Sequence, residues 1–120
     1  MAKILITDDA AFMRMTLSKM ITDAGHEVVA EAADGYEAVA LYKQHRPDLV
    51  TMDITMPNLD GVEALKQIKE INPLAKVLMC SAMGQQNKVV DAIQYGAIDF
   101  IVKPFDEARM KEAIENALSR

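Results

Sequence analysis

The chain has 120 residues, of which 51% are hydrophobic and 26% charged, and its formal net charge is −5. This length fits one domain with a single core, and the composition is typical of a globular protein rather than a disordered one. The basic residues are scattered, which argues against a nucleic-acid surface. No apolar run approaches the ~18 residues of a membrane span, and carboxylates at Asp8 and Asp9 come too early for a signal peptide, so we expect a cytoplasmic protein.

Short apolar runs alternate with longer segments of helical periodicity five times along the chain. Strands are predicted at residues 3–7, 28–32, 48–52, 76–80 and 98–102. The second and third helices are predicted to begin after Asp34 and Asp60, each followed three residues later by a Glu that completes a capping-box pattern. The fourth helix is predicted over residues 87–95, before Gly96. This alternation predicts an α/β domain with a doubly wound parallel sheet and helices on both faces.

Polar side chains stand where the predicted strands end. Asp8 and Asp9 follow the first strand, Asp53 the third, Ser81 the fourth and Lys103 the fifth. Because ligands of open parallel sheets bind at the carboxyl ends of the strands, the topology would bring these groups to one edge. Each residue alone has an ordinary alternative, such as a helix cap for Asp9 or a solvated end for Lys103. Their coincidence is what indicates a functional site.

The composition of this cluster favours a divalent cation. Three neighbouring carboxylates repel one another, and oxygen ligands without His or Cys are typical of a Mg²⁺ site. With a cation present, Asp53 becomes a candidate nucleophile toward a phosphoryl group. Lys103 would supply positive charge and Ser81 a hydrogen bond to a phosphoryl oxygen. No base for rapid hydrolysis is evident, which favours formation of an acyl phosphate over turnover.

These motifs resemble the response-regulator receiver domain family, and within it the single-domain chemotaxis regulators. The resemblance runs along the whole chain through Asp8-Asp9, Asp53 with Met56-Pro57 and Asp60-Gly61, Ser81-Ala82, and Lys103-Pro104-Phe105. It implies a flavodoxin-like (βα)5 sheet of strand order 2-1-3-4-5, an order that belongs to the family and is not deduced from this sequence. It also implies a single receiver domain over residues 1–120 with no output domain.

The resemblance assigns roles to the residues of the cluster. Asp53 would be the phosphoacceptor for a phosphohistidine on a sensor kinase. Asp9, Asp53 and the backbone carbonyl of Thr55 would bind Mg²⁺ directly, with Asp8 assisting through water. Lys103 would pair with the phosphoryl group. The chain would then be a switch that catalyses only its own phosphorylation and slow autodephosphorylation, and not an enzyme acting on other substrates.

The resemblance also implies how the signal is passed on. Ser81 would move toward the phosphoryl group and Phe100 would turn inward, which changes the face made by the fourth helix, fifth strand and fifth helix. This face would bind a target, the flagellar motor switch protein, and a phosphatase would be a further partner of the monomer. Phe100 stands where chemotaxis relatives carry Tyr, so it offers no hydroxyl to a target. The bond between Lys103 and Pro104 is expected to be cis.

Three alternatives remain at this point. A phosphorelay intermediate, or a receiver acting on a kinase, would share the same site residues. An aspartyl-nucleophile phosphatase of the haloacid dehalogenase type would need a second Asp two residues after the nucleophile, where Thr55 stands. A flavin-binding module would need a phosphate loop after the first strand, where the paired carboxylates Asp8 and Asp9 would repel a phosphate.

Overall fold

Five parallel strands alternate with five helices in the computed structural model, which describes all 120 residues. The strands are β1 (Lys3–Thr7), β2 (Glu27–Ala32), β3 (Leu49–Asp53), β4 (Val77–Ser81) and β5 (Asp99–Val102). The helices are α1 (Ala11–Asp23), α2 (Gly35–His45), α3 (Gly61–Ile71), α4 (Gln86–Gln94) and α5 (Glu107–Leu118). The sheet order is β2-β1-β3-β4-β5 with every pair parallel, so the predicted architecture and the family's strand order are confirmed. No helix combines the length and apolar character needed to cross a bilayer.

The sheet lies between two helical layers, which explains why its central strands are apolar on both faces. Successive residues of a strand point to opposite faces. Accordingly, Leu5 packs into a core with α2, α3 and α4, whereas Ile4 and Ile6 pack into a second core with α1 and α5. Cys80 is buried in the second core, and burial raises the pKa of its thiol to about 12, as suits a structural cysteine.

Helix starts divide into two kinds. Asp34, Asp60 and Asp106 each accept a hydrogen bond from the backbone N–H three residues later, and so cap α2, α3 and α5. The N-cap residues of α1 and α4 are Ala10 and Gln85, and neither provides a side-chain cap. The two uncapped helices are those that follow β1 and β4, next to the strand ends that carry the candidate site.

One of the two histidines, His26, is largely buried. The His26 side chain is only 10% exposed. Its Nδ1 lies 3.0 Å from the backbone N–H of Ala2, which can only donate, so Nε2 carries the proton and donates to Glu115 at 3.0 Å. His26 thus joins the chain before β1 to α5, at the end of the sheet opposite the carboxylates.

Gly61 lets the chain fold back beneath the end of β3. Its N–H donates to the carbonyl of Ile54 at 2.7 Å, and a Cβ at this position would collide with the carbonyl oxygen of Asp53. A side chain here would displace the backbone that carries Asp53. The Asp60-Gly61 pair therefore combines a helix cap with the close approach that fixes this strand end.

We expect Gly61→Ala to lower the free energy of unfolding by about 2–3 kcal/mol, because the added methyl group meets backbone atoms that cannot move aside cheaply. Gly25→Ala is the matched control. Gly25 has a φ of +90° but no atom near its missing Cβ, so that change should cost only about 1 kcal/mol of backbone strain. Urea unfolding of both variants measures the difference. Equal losses would show that the contact with Asp53 imposes no constraint.

Candidate functional site

The structure brings the three predicted carboxylates together at the carboxyl edge of β1 and β3. One carboxylate oxygen from each of Asp8, Asp9 and Asp53 lies within 4.8 Å of the others. Asp8 and Asp53 are buried, whereas Asp9 is exposed. Burial of two acids beside a third at a strand edge is expensive unless positive charge is close by.

Lys103 supplies part of that charge. Its Nζ lies 2.9 Å from Oδ2 of Asp8 and 3.4 Å from Oδ2 of Asp53. The backbone N–H of Lys103 donates to the carbonyl of Ser81 at 2.7 Å, and its bond to Pro104 is cis, as expected. One ammonium against three carboxylates still leaves the edge negative.

The pKa values of Asp53 and Lys103 are both shifted by burial and by the neighbouring charges. Burial is the main cause that raises the pKa of Asp53 to about 6; Lys103 opposes the rise, while Asp8 and Asp9 add repulsion. For Lys103, burial acts to lower the pKa, but the hydrogen bond to Asp8 and the charge of Asp53 outweigh it, and the pKa is raised. Asp53 is therefore a desolvated carboxylate whose negative charge is incompletely compensated by the protein.

Asp9 is not the cap of α1, which excludes its ordinary alternative. The N-cap residue is Ala10, and the N–H of Ala10 donates instead to Oδ1 of Asp8 at 2.9 Å. The exposed carboxylate of Asp9 thus remains next to Asp53 with no role in starting the helix. An acidic edge of hard oxygen donors fits Mg²⁺, which takes one or two carboxylates and keeps several waters.

Ser81 ends β4 at the same edge, and Phe100 lies two residues earlier in the register on the neighbouring strand β5, opposite Met79. Ser81 is buried at the end of β4, and Phe100 on β5 is 37% exposed. Both line a groove of about 570 Å³ between α4 and β5, together with the exposed side chains of Val90 and Ile93. The two residues assigned to the switch therefore share one groove that leads from the site to the surface.

Two residues near the site carry no signal in the sequence. Arg14 donates from Nη1 to the carbonyl of Asp8 at 2.7 Å and pairs with Glu31 at 3.4 Å. Gln85 hydrogen-bonds to Ala82 and to Thr55, thirty residues away. Glu31 and Thr55 are distant in the chain from Arg14 and Gln85, so these two contacts produce no local pattern and only the folded arrangement shows them.

We expect Asp53→Asn to stabilise the protein at pH 7.5 in the presence of a chelator. A raised pKa means that the folded state disfavours the ionised acid, so the penalty is absent below pH 4 and grows as the pH rises to about 6. The gain should be about 1–2 kcal/mol once solvent screening is allowed for. Urea unfolding at pH 7.5 and pH 4 measures it. A gain that persists at pH 4, or none at pH 7.5, would contradict the account.

Comparison with known proteins agrees with this geometry. The sequence profile of the response regulator receiver domain matches residues 4–115. The chain is 61% identical over 117 residues to the chemotaxis protein CheY of Bacillus subtilis, with 98% of each chain covered. It is 58% identical over 112 residues to the chemotaxis protein CheY of Thermotoga maritima, with 93% of each covered.

Solved structures show the same fold. A crystal structure of the CheX-CheY-BeF3-Mg+2 complex from Borrelia burgdorferi superposes with a TM-score of 0.93 at 40% identity, covering 98% of this chain and 90% of that one. The family profile, the two CheY relatives and the strand-edge carboxylates all agree. The chain belongs to the response regulator receiver domain family, as a CheY-like member of two-component signalling.

Proposed function

We propose that this receiver domain is a chemotaxis switch that accepts a phosphoryl group from a sensor kinase phosphohistidine onto Asp53. The observation that carries the proposal is the state of Asp53: a buried carboxylate at a rigid strand end, between two further acids and Lys103. A carboxylate used only for structure gains nothing from such a position. A carboxylate that must react with an incoming phosphoryl group needs to be fixed, reachable and short of compensating charge.

In the proposed reaction, an oxygen of Asp53 attacks phosphorus while the bond from phosphorus to the imidazole nitrogen breaks. The imidazole leaves, and Asp53 becomes an aspartyl phosphate. Asp9, Asp53 and the carbonyl of Thr55 would hold Mg²⁺, with Asp8 assisting through water. When bound, Mg²⁺ neutralises charge on the phosphoryl oxygens during transfer. The BeF3 and Mg+2 named with the Borrelia CheY support the same pairing here.

Lys103 connects the phosphoacceptor Asp53 with the end of β4. It is bonded to Asp8 at 2.9 Å and lies further from Asp53, at 3.4 Å. Phosphorylation replaces the single negative charge of the Asp53 carboxylate with about −1.5 to −2 on the phosphoryl group, so the ammonium should move toward that group. Because the backbone N–H of Lys103 donates to Ser81, the end of β5 is tied to the end of β4, where the switch residue stands.

Ser81 and Phe100 would carry the signal outward. Shifting the ratio of active to inactive molecules from 1:99 to 99:1 takes about 5.5 kcal/mol of differential stabilisation. Charge-assisted hydrogen bonds from Lys103 and Ser81 at about 1.5–3 kcal/mol each are of the right order, so phosphorylation alone should shift the equilibrium partly. The exposed ring of Phe100 has an open groove beside it into which it could turn.

The face formed by α4, β5 and α5 is the proposed binding surface for the target. Its exposed apolar side chains include Val90, Ile93, Phe100 and Val102. The target would be the flagellar motor switch, in keeping with the chemotaxis role of the CheY relatives, and the Borrelia complex with CheX supports a second kind of partner. We propose that the protein acts in the cytoplasm as a monomeric single domain, without nucleic acid, and that its only catalysis is of its own phosphorylation and dephosphorylation.

The phosphatase alternative has no support from the geometry. Thr55 stands where a general acid would be required, and its hydroxyl accepts a hydrogen bond from Gln85. A phosphorelay intermediate would use the same site as a chemotaxis switch, and no observation favours it over the chemotaxis role of the CheY relatives.

Incubation with acetyl phosphate and Mg²⁺ should add one phosphoryl group, seen by intact-protein mass spectrometry. The adduct should be absent in a chelator and in Asp53→Asn. Asp60→Asn is the matched control, since Asn caps α3 as well as Asp does and the nearby acceptor is left intact. An adduct on Asp53→Asn, or one that forms without divalent cation, would contradict the assignment. The proposal would be overturned if wild type forms no adduct and also shows no Mg²⁺-dependent binding of beryllofluoride.

A further inference from the structure

Gln85 connects the two loops on which the proposed switch depends. The acceptor loop, residues 54–60, follows Asp53, and the switch loop, residues 82–85, follows Ser81. The Gln85 carboxamide accepts a hydrogen bond from the N–H of Ala82 at 2.7 Å, and its Nε2 donates to the hydroxyl of Thr55. The bond from Nε2 to Thr55 is the one side-chain hydrogen bond that joins the two loops, and the carboxamide oxygen bonds within the switch loop.

The contact also reaches α4. Gln85 is the N-cap residue of α4 but does not cap it with its side chain, and its carbonyl accepts the first helical hydrogen bond, from Val89 at 3.0 Å. The side chain that could have capped the helix is instead directed across the mouth of the site to Thr55. The position of the α4 N-terminus, which borders the groove beside Phe100, is thereby tied to the acceptor loop.

The two loops differ in their freedom to move. The acceptor loop is fixed by the hydrogen bond from Gly61 to Ile54 and by the close contact with Asp53. The switch loop contains Gly84 at a φ of +88°, with no atom near its missing Cβ, and its residues Ala82 and Met83 are exposed. A bond from Gln85 to Thr55 therefore anchors a loosely packed loop to a firmly packed one.

We propose that the Gln85 carboxamide is a latch that holds the switch loop in the unphosphorylated arrangement and so sets how readily phosphorylation moves Ser81. The inference rests on the proposed function, in which Ser81 moves toward Asp53. Ala82 follows Ser81 directly, so its N–H must leave Gln85 when Ser81 moves while Thr55 stays in place. Gln85 is thus a positioning residue that opposes the active arrangement by about the strength of its hydrogen bond to Ala82.

Removal of the latch should favour the active state. We expect Gln85→Ala and the isosteric Gln85→Met to bind beryllofluoride about threefold to tenfold more tightly than wild type in saturating Mg²⁺, as loss of one neutral hydrogen bond from the inactive state predicts. Amide NMR titration measures the affinity. Gln86→Ala is the matched control, because the neighbouring glutamine is exposed and makes no side-chain hydrogen bond; its affinity should equal that of wild type.

Two readouts separate a latch from a general structural role. In the protein without added ligand, Gln85→Ala should accelerate hydrogen exchange at the Ala82 amide, and Gln86→Ala should not. Thr55→Val removes the other anchor, so the double variant with Gln85→Ala should bind beryllofluoride no more tightly than Gln85→Ala alone.

Unchanged or weaker beryllofluoride binding by both Gln85 variants would overturn the latch, as would unchanged exchange at Ala82. In either of these outcomes, the proposed function would still be supported if wild type binds beryllofluoride and Asp53→Asn does not. No binding by wild type would instead overturn the proposed function, and exchange at Ala82 would still decide whether Gln85 holds the loop.

Discussion

The structure depends on one unbalanced electrostatic arrangement, in which the buried carboxylate of Asp53 has two acidic neighbours and a single ammonium. Parallel topology creates it, because the ends of β1, β3 and β5 meet at one edge of the sheet. Lys103 is bonded more closely to Asp8 than to Asp53. Burial is the main cause of the raised pKa of Asp53, with repulsion from Asp8 and Asp9 adding to it. The negative charge left over fits a divalent cation.

The same arrangement explains how a change in one residue could reach a distant surface. In the proposed switch, Lys103 would respond to charge at Asp53 through its side chain. Its backbone N–H joins it to the end of β4. Ser81 leads into the switch loop, which Gln85 joins to Thr55, and it lines the groove beside Phe100. The proposed signal would need no movement of the core, because the central strands are buried on both faces and only the loops at one edge would rearrange.

Much of this could be read from the sequence, for definite reasons. Hydrophobic periodicity predicts the five strands and the fourth helix to within one residue, because strands buried on both faces are continuous apolar runs. The positions of Asp8, Asp9, Asp53 and Lys103 at strand ends predict that they meet at one edge of the sheet. The strand order could not be derived in this way, since the pattern of β and α elements is the same for several orders. It came from the family resemblance.

The interactions that sequence missed are those between distant side chains. The partners of His26 lie in the segment before β1 and on α5, and those of Arg14 and Gln85 are likewise fixed by packing and rotamer choice rather than by local pattern. Asp106 caps α5, and the sequence carries the signal for it, a cap residue before an apolar stripe.

The most direct test of the central claim is a crystal structure of the protein with Mg²⁺ and beryllofluoride. The account predicts beryllofluoride on Asp53, the Nζ of Lys103 in contact with it and away from Asp8, and a Phe100 side chain much less exposed than the 37% of the unmodified protein. The account would be contradicted if beryllofluoride is bound to Asp53 while Lys103 stays paired to Asp8 and Phe100 stays exposed. Charge at Asp53 would then not change the surface around Phe100.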